Sequence, residues 1–133
     1  SENKTIGQSC FSTTDSSIRK KILFRNQFTH SSILFRSDTL HKTSGYQPTL
    51  AEDLDLILQM GNFGNLANLD SFYTAHRVHD SSMNDHGLQM ALAVHAIVLK
   101  YRKNYPNSFV AITFSFLRLV RGYIKKNIFT HKP

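Results

Sequence analysis

Several residue types are scarce in this sequence, and each scarcity argues against a class of protein. The 133 residues include no tryptophan and one cysteine, so no internal disulfide can form. Cys10 therefore fits a reducing compartment or a secreted protein that needs no bridges. The longest apolar runs, "LQMALAVHAIVL" and "FVAITFSFLRLV", are too short for a bilayer span. Residues 1–15 are polar, so no signal peptide is expected. These features predict a soluble protein, cytoplasmic or delivered into the cytoplasm of a target cell.

Acidic residues are missing from the C-terminal third of the chain. Residues 86–133 contain eight Lys or Arg and no Asp or Glu, whereas residues 43–85 contain one basic and six acidic residues. The whole chain carries a net charge of +7. A long stretch without carboxylates favours an anionic partner, and RNA is the partner predicted. An acidic protein or an anionic membrane surface is the alternative partner. The same charge distribution would also arise if the acidic middle of the chain packed against the basic C-terminal third within the fold.

The residues that are abundant predict one folded domain. Hydrophobic residues make up 41% of the chain and ten residues are phenylalanine, as expected of a globular protein. A polar N-terminal arm over residues 1–17 precedes a single domain over residues 18–133. The apolar-basic runs "IRKKILFRNQF" (18–28) and "SSILFRSDT" (31–39) predict strands. With the helices below, the predicted fold class is α+β, with a few short strands and three to four helices.

Two helices are predicted from leucine spacing and capping. "PTLAEDLDLILQM" has Thr49 as a candidate N-cap, acidic residues in its first turn and Gly61 at its end. "HGLQMALAVHAIVLKYRKN" places Leu88, Leu92 and Leu99 on one stripe with basic residues at its C-terminal end.

Two further segments have weaker patterns. "NLANLDSFYTAHRVH" (65–79) predicts another helix. "SFVAITFSFLRLVRGYIKKNIF" fits a buried strand or a helix by periodicity, and we predict a strand over 109–115 that passes into a helix over 116–127.

Histidine and aspartate cluster in "FYTAHRVHDSSMNDH", residues 72–86. His76 and His79 are three apart, so a helix would place them on one face. Such a pair could act as general acid and base in RNA cleavage, and these two residues are the candidate catalytic groups. With Asp80, Asp85 and His86 the cluster could instead hold a transition metal. The third interpretation is a solvated turn with helix caps. The sequence predicts neither a metal site nor a cofactor for this cluster.

Basic side chains in the C-terminal third are the candidate nucleic-acid contacts. Arg118, Arg121 and Lys125 recur at helical spacing, and arginine forks grip phosphates while tyrosine stacks on unpaired bases. The full predicted set is Lys100, Arg102, Lys103, Arg118, Arg121, Tyr123, Lys125 and Lys126. Together with the histidine pair, these residues predict an RNA-binding protein or a small toxin-type ribonuclease. A solvated basic face, or an effector that binds an acidic protein without catalysis, fits the same pattern.

Two segments resemble mono-ADP-ribosyltransferase toxins of the cholera and pertussis kind. "ILFRSDT…GYQP" is similar to the first strand of that family, in which an arginine helps hold NAD before a glycine-aromatic turn. The resemblance implies that Arg36 is a cofactor-binding residue and that Gly45-Tyr46 form the turn. "SFVAITFSFLRLVRGY" is similar to the family's Phe-Val-Ser-Thr-Ser strand and the helix after it.

The sequence also departs from that family at two important places. Ala111 occupies the place of the first serine, leaving Thr113 or Ser115 as substitutes. No glutamate follows Glu52, so the family's catalytic glutamate has no counterpart. The resemblance therefore implies an inactive or incomplete relative.

Overall fold

Helices account for all the regular secondary structure in the computed structural model, which describes residues 5–75, 77 and 87–129. They are α1 (Asp15–Lys21), α2 (Ser37–Leu40), α3 (Glu52–Gly61), α4 (Gly87–Tyr101) and α5 (Ser108–Phe129), with a 3-10 turn at His30–Ser32. The described residues contain no strand, so the predicted α+β class is wrong and this part of the chain is all-α.

Each of the three predicted strands is replaced by another structure for an identifiable reason. In the 18–28 segment, Ile18 and Ile22 are both buried four residues apart, which is a helical period. In the 31–39 segment, Leu34 is 99% exposed and α2 begins at Ser37, so no apolar face is available to a sheet. Residues 109–115 form the first turns of α5.

The two helices predicted from leucine spacing are confirmed as α3 and α4, but α3 begins at Glu52 with Ala51 as its N-cap, so the predicted cap at Thr49 is wrong. Acidic residues fill the first turn of α3, where they interact favourably with the helix dipole. The helix predicted over 65–79 is wrong for residues 65–75 and 77, which are not helical. The remaining positions of that segment lie outside the described residues.

The core forms where α1, α3 and α4 meet. Ile18 of α1, Ile22 just after it, Leu58 of α3 and Val98 of α4 have no exposed surface. Burial of each such aliphatic side chain contributes roughly 1.5–3 kcal/mol relative to exposure. Tyr105, in the turn after α4, joins the same cluster and donates its hydroxyl to the Leu58 carbonyl at 2.8 Å.

Helices α4 and α5 pack side by side in antiparallel directions. His95 Nδ1 lies 2.8 Å from Ser115 Oγ, and Leu88, earlier in α4, packs beside Gly122, later in α5. A Cβ on Gly122 would lie 3.4 Å from Leu88 Cδ1, in ordinary van der Waals contact, so the two helices are closely packed at this point. Asn107, with φ of 59°, adopts the left-handed conformation in the turn between the helices, which Asn tolerates better than most residues.

The N-terminal segment is attached to the domain by polar contacts. Arg19 Nη2 donates to the carbonyl of Gly61 at 2.6 Å and to that of Gly64 at 3.0 Å, which ties α1 to the end of α3. Asn68 Nδ2 donates to the carbonyl of Ser12 at 2.8 Å. Helix α1 begins at Asp15, inside the segment 1–17 that the sequence suggests is an arm.

Candidate nucleic-acid interface

The C-terminal end of α1 presents basic side chains to solvent. Since Ile18 and Ile22 are buried, helical geometry turns Lys20 and Lys21 outward, and both are exposed. The chain continues in a tight turn, in which the Phe24 amide donates to the Lys21 carbonyl at 2.9 Å. This turn leaves Arg25 exposed beside the two lysines.

Helix α5 approaches the same end of α1. Asn107 Nδ2 donates to the Lys20 carbonyl at 3.2 Å, and Arg118 Nη1 donates to the Phe24 carbonyl at 3.3 Å. The rings of Phe24 and Phe114 lie with their centroids 6.3 Å apart and their planes at 57°. These contacts bring a basic residue of the C-terminal third next to the basic end of α1.

Two arginines in this region each lie over a phenylalanine ring. The Arg118 guanidinium carbon lies 4.9 Å from the centre of the Phe114 ring, and that of Arg25 lies 5.7 Å from the centre of the Phe11 ring. Both distances are within the range of cation–π attraction. Lys21 Nζ donates to Ser12 Oγ at 3.0 Å, so one lysine is also oriented by its neighbours.

We call this region the α1–α5 surface. Its basic members are Lys20, Lys21, Arg25 and Arg118, and its aromatic members are Phe11, Phe24 and Phe114. A shallow groove of about 600 Å³ runs through it, lined by residues 10–12, 20, 21, 24, 25 and 27, none of them acidic. The arrangement offers separated positive charges beside π faces, which is the chemistry that binds phosphates and unpaired bases.

Two of the predicted nucleic-acid contacts at the end of α4 are held by the protein itself. Lys100 Nζ lies 2.8 Å from Asp55 Oδ1 of α3 and 5.0 Å from the centre of the Tyr101 ring. Arg102 Nη1 donates to the Leu99 carbonyl at 2.6 Å, near the end of its own helix. Lys103 is exposed in the following turn.

The predicted contacts on α5 separate into two groups. Arg118 belongs to the α1–α5 surface. Arg121, Tyr123, Lys125 and Lys126 are exposed along the second half of the helix. Their side chains extend the positive surface of α5 away from α1, over the turns that follow Arg118.

The candidate catalytic pair, His76 and His79, lies outside the described residues, as do Asp80, Asp85 and His86. The acid-base, metal and turn interpretations of that cluster therefore stay predictions. His95, by contrast, is half-buried and hydrogen-bonded to Ser115, as expected of a satisfied interior histidine.

Arg36 lines a different cavity, together with residues of α3. The cavity measures about 480 Å³, and its walls are mainly apolar, with contributions from Phe28, Ile33, Ile57 and Met60. Arg36 itself is exposed, immediately before α2. The strands that the toxin resemblance implies at Arg36 and over 109–115 are not formed, whereas NAD binding itself stays a prediction.

The described residues contain neither a metal-ligand cluster nor a membrane-spanning helix. In this part of the chain, no three His, Cys, Asp or Glu side chains come together as metal ligands would. Of the helices defined above, none combines the length and the apolar character required to cross a bilayer.

Comparison with known proteins finds no relative for this chain: no protein-family model, curated protein or solved structure matches it.

Lys20, Lys21 and Arg25 are not among the contacts predicted from the sequence, because residues 18–28 were predicted to form a strand. The buried pair Ile18 and Ile22, with Asp15 in the first turn, is the signal that would have predicted α1 and its exposed lysines. No sequence pattern pairs this segment with Arg118, which is 94 residues from its partner Phe24.

Proposed function

We propose that the protein binds single-stranded RNA on the α1–α5 surface. The observation that supports this function is the convergence of four exposed basic residues with three phenylalanines from segments far apart in the chain. A solvated face that served only solubility would not need arginines placed over aromatic rings. The acid-free composition of residues 86–133 adds a favourable long-range field for a polyanion.

The chemistry of binding follows from the geometry. Lys20, Lys21 and the two arginines would contact successive phosphates, and each arginine can offer two parallel N–H donors. Phe11 is half-buried, with Arg25 over its ring, so an unpaired base can stack against this pair. Base stacking on an aromatic side chain contributes about 1–3 kcal/mol per base.

Salt dependence provides the first test. If four cations neutralise phosphates on a single strand, the logarithm of the affinity should fall with the logarithm of salt concentration with a slope of about −3. Fluorescence anisotropy of a labelled mixed-sequence RNA at increasing salt measures that slope. An RNA that shows no binding at low salt would exclude the proposal.

Matched variants locate the binding surface. Arg118→Ala and Lys21→Ala should each reduce affinity and lower the salt slope by about 0.7. Lys42→Ala removes an exposed lysine beside α2, away from the α1–α5 surface, and should change neither. Equal losses in all three variants would indicate nonspecific attraction by net charge.

A second comparison separates RNA from other anions. Phe11→Leu removes a ring while keeping an apolar side chain, so it should weaken binding to RNA but leave binding to polyphosphate unchanged. Affinity is also measured for polyglutamate, which stands in for an acidic protein, and for vesicles of anionic phospholipid. Tighter binding to either of these than to RNA would assign the surface to an acidic protein or to a membrane.

RNA binding on the α1–α5 surface does not require cleavage, which would depend on His76 and His79. If the pair acts as acid and base, His79→Ala should abolish RNA cleavage while RNA affinity and its salt dependence are unchanged. If the pair only shapes a turn, the same change should affect neither.

A further inference from the structure

The face of α5 that points away from α4 is apolar along the length of the helix. Residues 111, 115, 119 and 122 are directed inward, and Ser115 and Gly122 contact α4. Large apolar side chains nevertheless remain between 36% and 81% exposed on the rest of the helix. The aliphatic ones are Val110, Leu117, Val120, Ile124 and Ile128. Patches of this size on a protein surface mark interaction sites.

These exposed residues follow a seven-residue repeat. Val110, Leu117 and Ile124 are seven apart and define position a, and Val120 falls at position d, three residues after an a. Phe109, Phe116 and Tyr123 are also seven apart and occupy position g. Phe114 and Ile128 occupy position e. All the large exposed apolar residues of α5 therefore lie at a, d, e or g, which are the positions that face a second helix in a coiled coil.

Position d is only partly apolar, because Thr113 and Asn127 occupy it along with Val120. The Thr113 hydroxyl donates to the Phe109 carbonyl at 3.2 Å within its own helix, so a partner could cover it without leaving the donor unsatisfied. Asn127 lies in the last turn, near the end of the repeat.

From this repeat we infer that the protein forms a dimer in which α5 pairs with α5 of a second copy. The near absence of charge on this face favours a second copy over an acidic partner, and the heptad spacing favours a partner helix over a lipid surface. At positions a, d, e and g of residues 109–128, Arg121 is the only charged residue, so the face offers almost nothing to an acidic helix. Arg118 and Lys125 fall at position b and Lys126 at position c, and all three are exposed beside the apolar face, so the vesicle experiment below separates a lipid surface from a second copy.

The available area is sufficient for such a dimer. A helix of 22 residues is about 33 Å long, enough for three heptads. Nine large apolar side chains on this face are each between 36% and 81% exposed, a supply of apolar surface suited to a standard stable interface, which buries about 800 Å² per partner. Phe114 belongs to both this face and the α1–α5 surface. The other residues of the α1–α5 surface stay accessible in the dimer. The inference does not rest on RNA binding, since Phe114 is its only residue in common with the α1–α5 surface and the seven-residue repeat carries it.

Oligomeric state tests the inference directly. Analytical ultracentrifugation of the full chain over a wide concentration range should show a monomer–dimer equilibrium. Leu117→Glu and Ile124→Glu each place a charge at position a and should weaken the dimer by about 100-fold or more, the equivalent of about 2.7 kcal/mol. Circular dichroism verifies that each variant keeps its helices, which is expected because both side chains are at least half exposed in one copy.

A matched substitution on α4 provides the control. Leu92 is also a large apolar residue, 50% exposed, but it does not belong to α5, so Leu92→Glu should leave the dimer constant unchanged. A wild-type chain that stays monomeric at all concentrations would overturn the inference, as would an equal effect of Leu92→Glu and Leu117→Glu. Binding of a monomeric wild type to anionic vesicles, lost in Leu117→Glu, would assign the face to lipid instead.

Discussion

Lys100 of α4 forms an ion pair with Asp55 of α3, with 2.8 Å between Nζ and Oδ1. The Asp55 side chain is almost fully buried, whereas that of Lys100 is half exposed. Gln59 Nε2 donates to the other carboxylate oxygen at 2.7 Å, so both oxygens of the buried group have partners. Lys100 therefore neutralises a charge inside the fold, even though its position in the sequence suggested a nucleic-acid contact.

We expect Lys100→Ala to destabilise the protein by about 1–3 kcal/mol, because a buried carboxylate would lose its counter-charge and one hydrogen bond. Urea denaturation measures the change. RNA affinity should stay close to that of the wild type. Lys103→Ala, at an exposed position in the next turn, should change stability by less than about 0.5 kcal/mol. A loss of RNA binding without loss of stability in Lys100→Ala would contradict this role.

Acid should weaken the contact between α1 and the segment after α3. Burial alone would raise the pKa of Asp15, but hydrogen bonds from Arg19 and the Leu66 amide, with the charge of Arg19, hold that pKa below its ordinary value of 3.8. The carboxylate therefore stabilises the fold at neutral pH, and this contribution is lost as pH falls through the lowered pKa.

Asp15→Asn isolates this pH effect. The variant should be less stable than the wild type at neutral pH, and the difference should shrink as pH falls below 3.8. Urea midpoints at a series of pH values give the comparison. Asp38→Asn, in the exposed first turn of α2, serves as the control for loss of a surface charge. A difference that grew with acid would contradict the assignment.

Gly61 allows Tyr105 to reach α3. A Cβ at this position would overlap Tyr105 Oη and lie 3.2 Å from Leu66 Cδ1. The hydroxyl cannot move freely, since it donates to the Leu58 carbonyl. Gly61→Ala should therefore destabilise the fold by about 1–3 kcal/mol despite the better helix propensity of alanine.

A double-mutant cycle tests the cause. In a Tyr105→Phe background the overlapping oxygen is gone, so Gly61→Ala should cost at least about 1 kcal/mol less than in the wild type. Gly64→Ala, where a Cβ meets nothing within 4 Å, is the control. Equal costs of Gly61→Ala in both backgrounds would show that the hydroxyl is not the obstacle.

Alkali should destabilise the protein through the same tyrosine. Burial raises the pKa of Tyr105 from 10.0 to about 12. The unfolded chain then loses this proton first, so stability declines as pH rises above 10 and continues to decline up to about 12. The shift corresponds to about 3 kcal/mol at the end of that range.

Tyr105→Phe should show less of this alkaline decline while being less stable near neutral pH, where the wild type keeps its hydrogen bond to Leu58. Urea midpoints of both proteins between neutral pH and pH 12 provide the measurement. Tyr123→Phe, on the exposed face of α5, should follow the wild type. Parallel curves for wild type and Tyr105→Phe would refute the role of this side chain.

Local sequence was sufficient to predict the helices that have one apolar and one polar face, or clear residues at their start and end. Helix α3 shows acidic residues in its first turn, buried leucines at helical spacing and Gly61 at its last position. Helix α4 is bounded by Gly87 and by the Tyr105-Pro106-Asn107 turn. These signals arise within a few residues of the chain and do not depend on distant partners.

Helix α5 was partly mistaken for a strand because it is apolar on two faces. Ala111 and Ser115 face the protein interior, while Val110 and Leu117 are exposed on another side. Residues 109–115 are apolar apart from Thr113 and Ser115, so this short stretch shows no period of its own and fits a buried strand as well as a helix. As a helix, the segment packs antiparallel on α4, with Ser115 bonded to His95 and Gly122 beside Leu88.

The basic composition and the preference for an anionic partner are properties of the sequence alone. Which cations are available to that partner was decided only by tertiary structure. Packing directs Lys100 to Asp55, and it places Arg118 against Phe24, beside Lys21 and Arg25. Contacts between residues tens of positions apart depend on how the helices pack, and no local pattern of side chains encodes that arrangement.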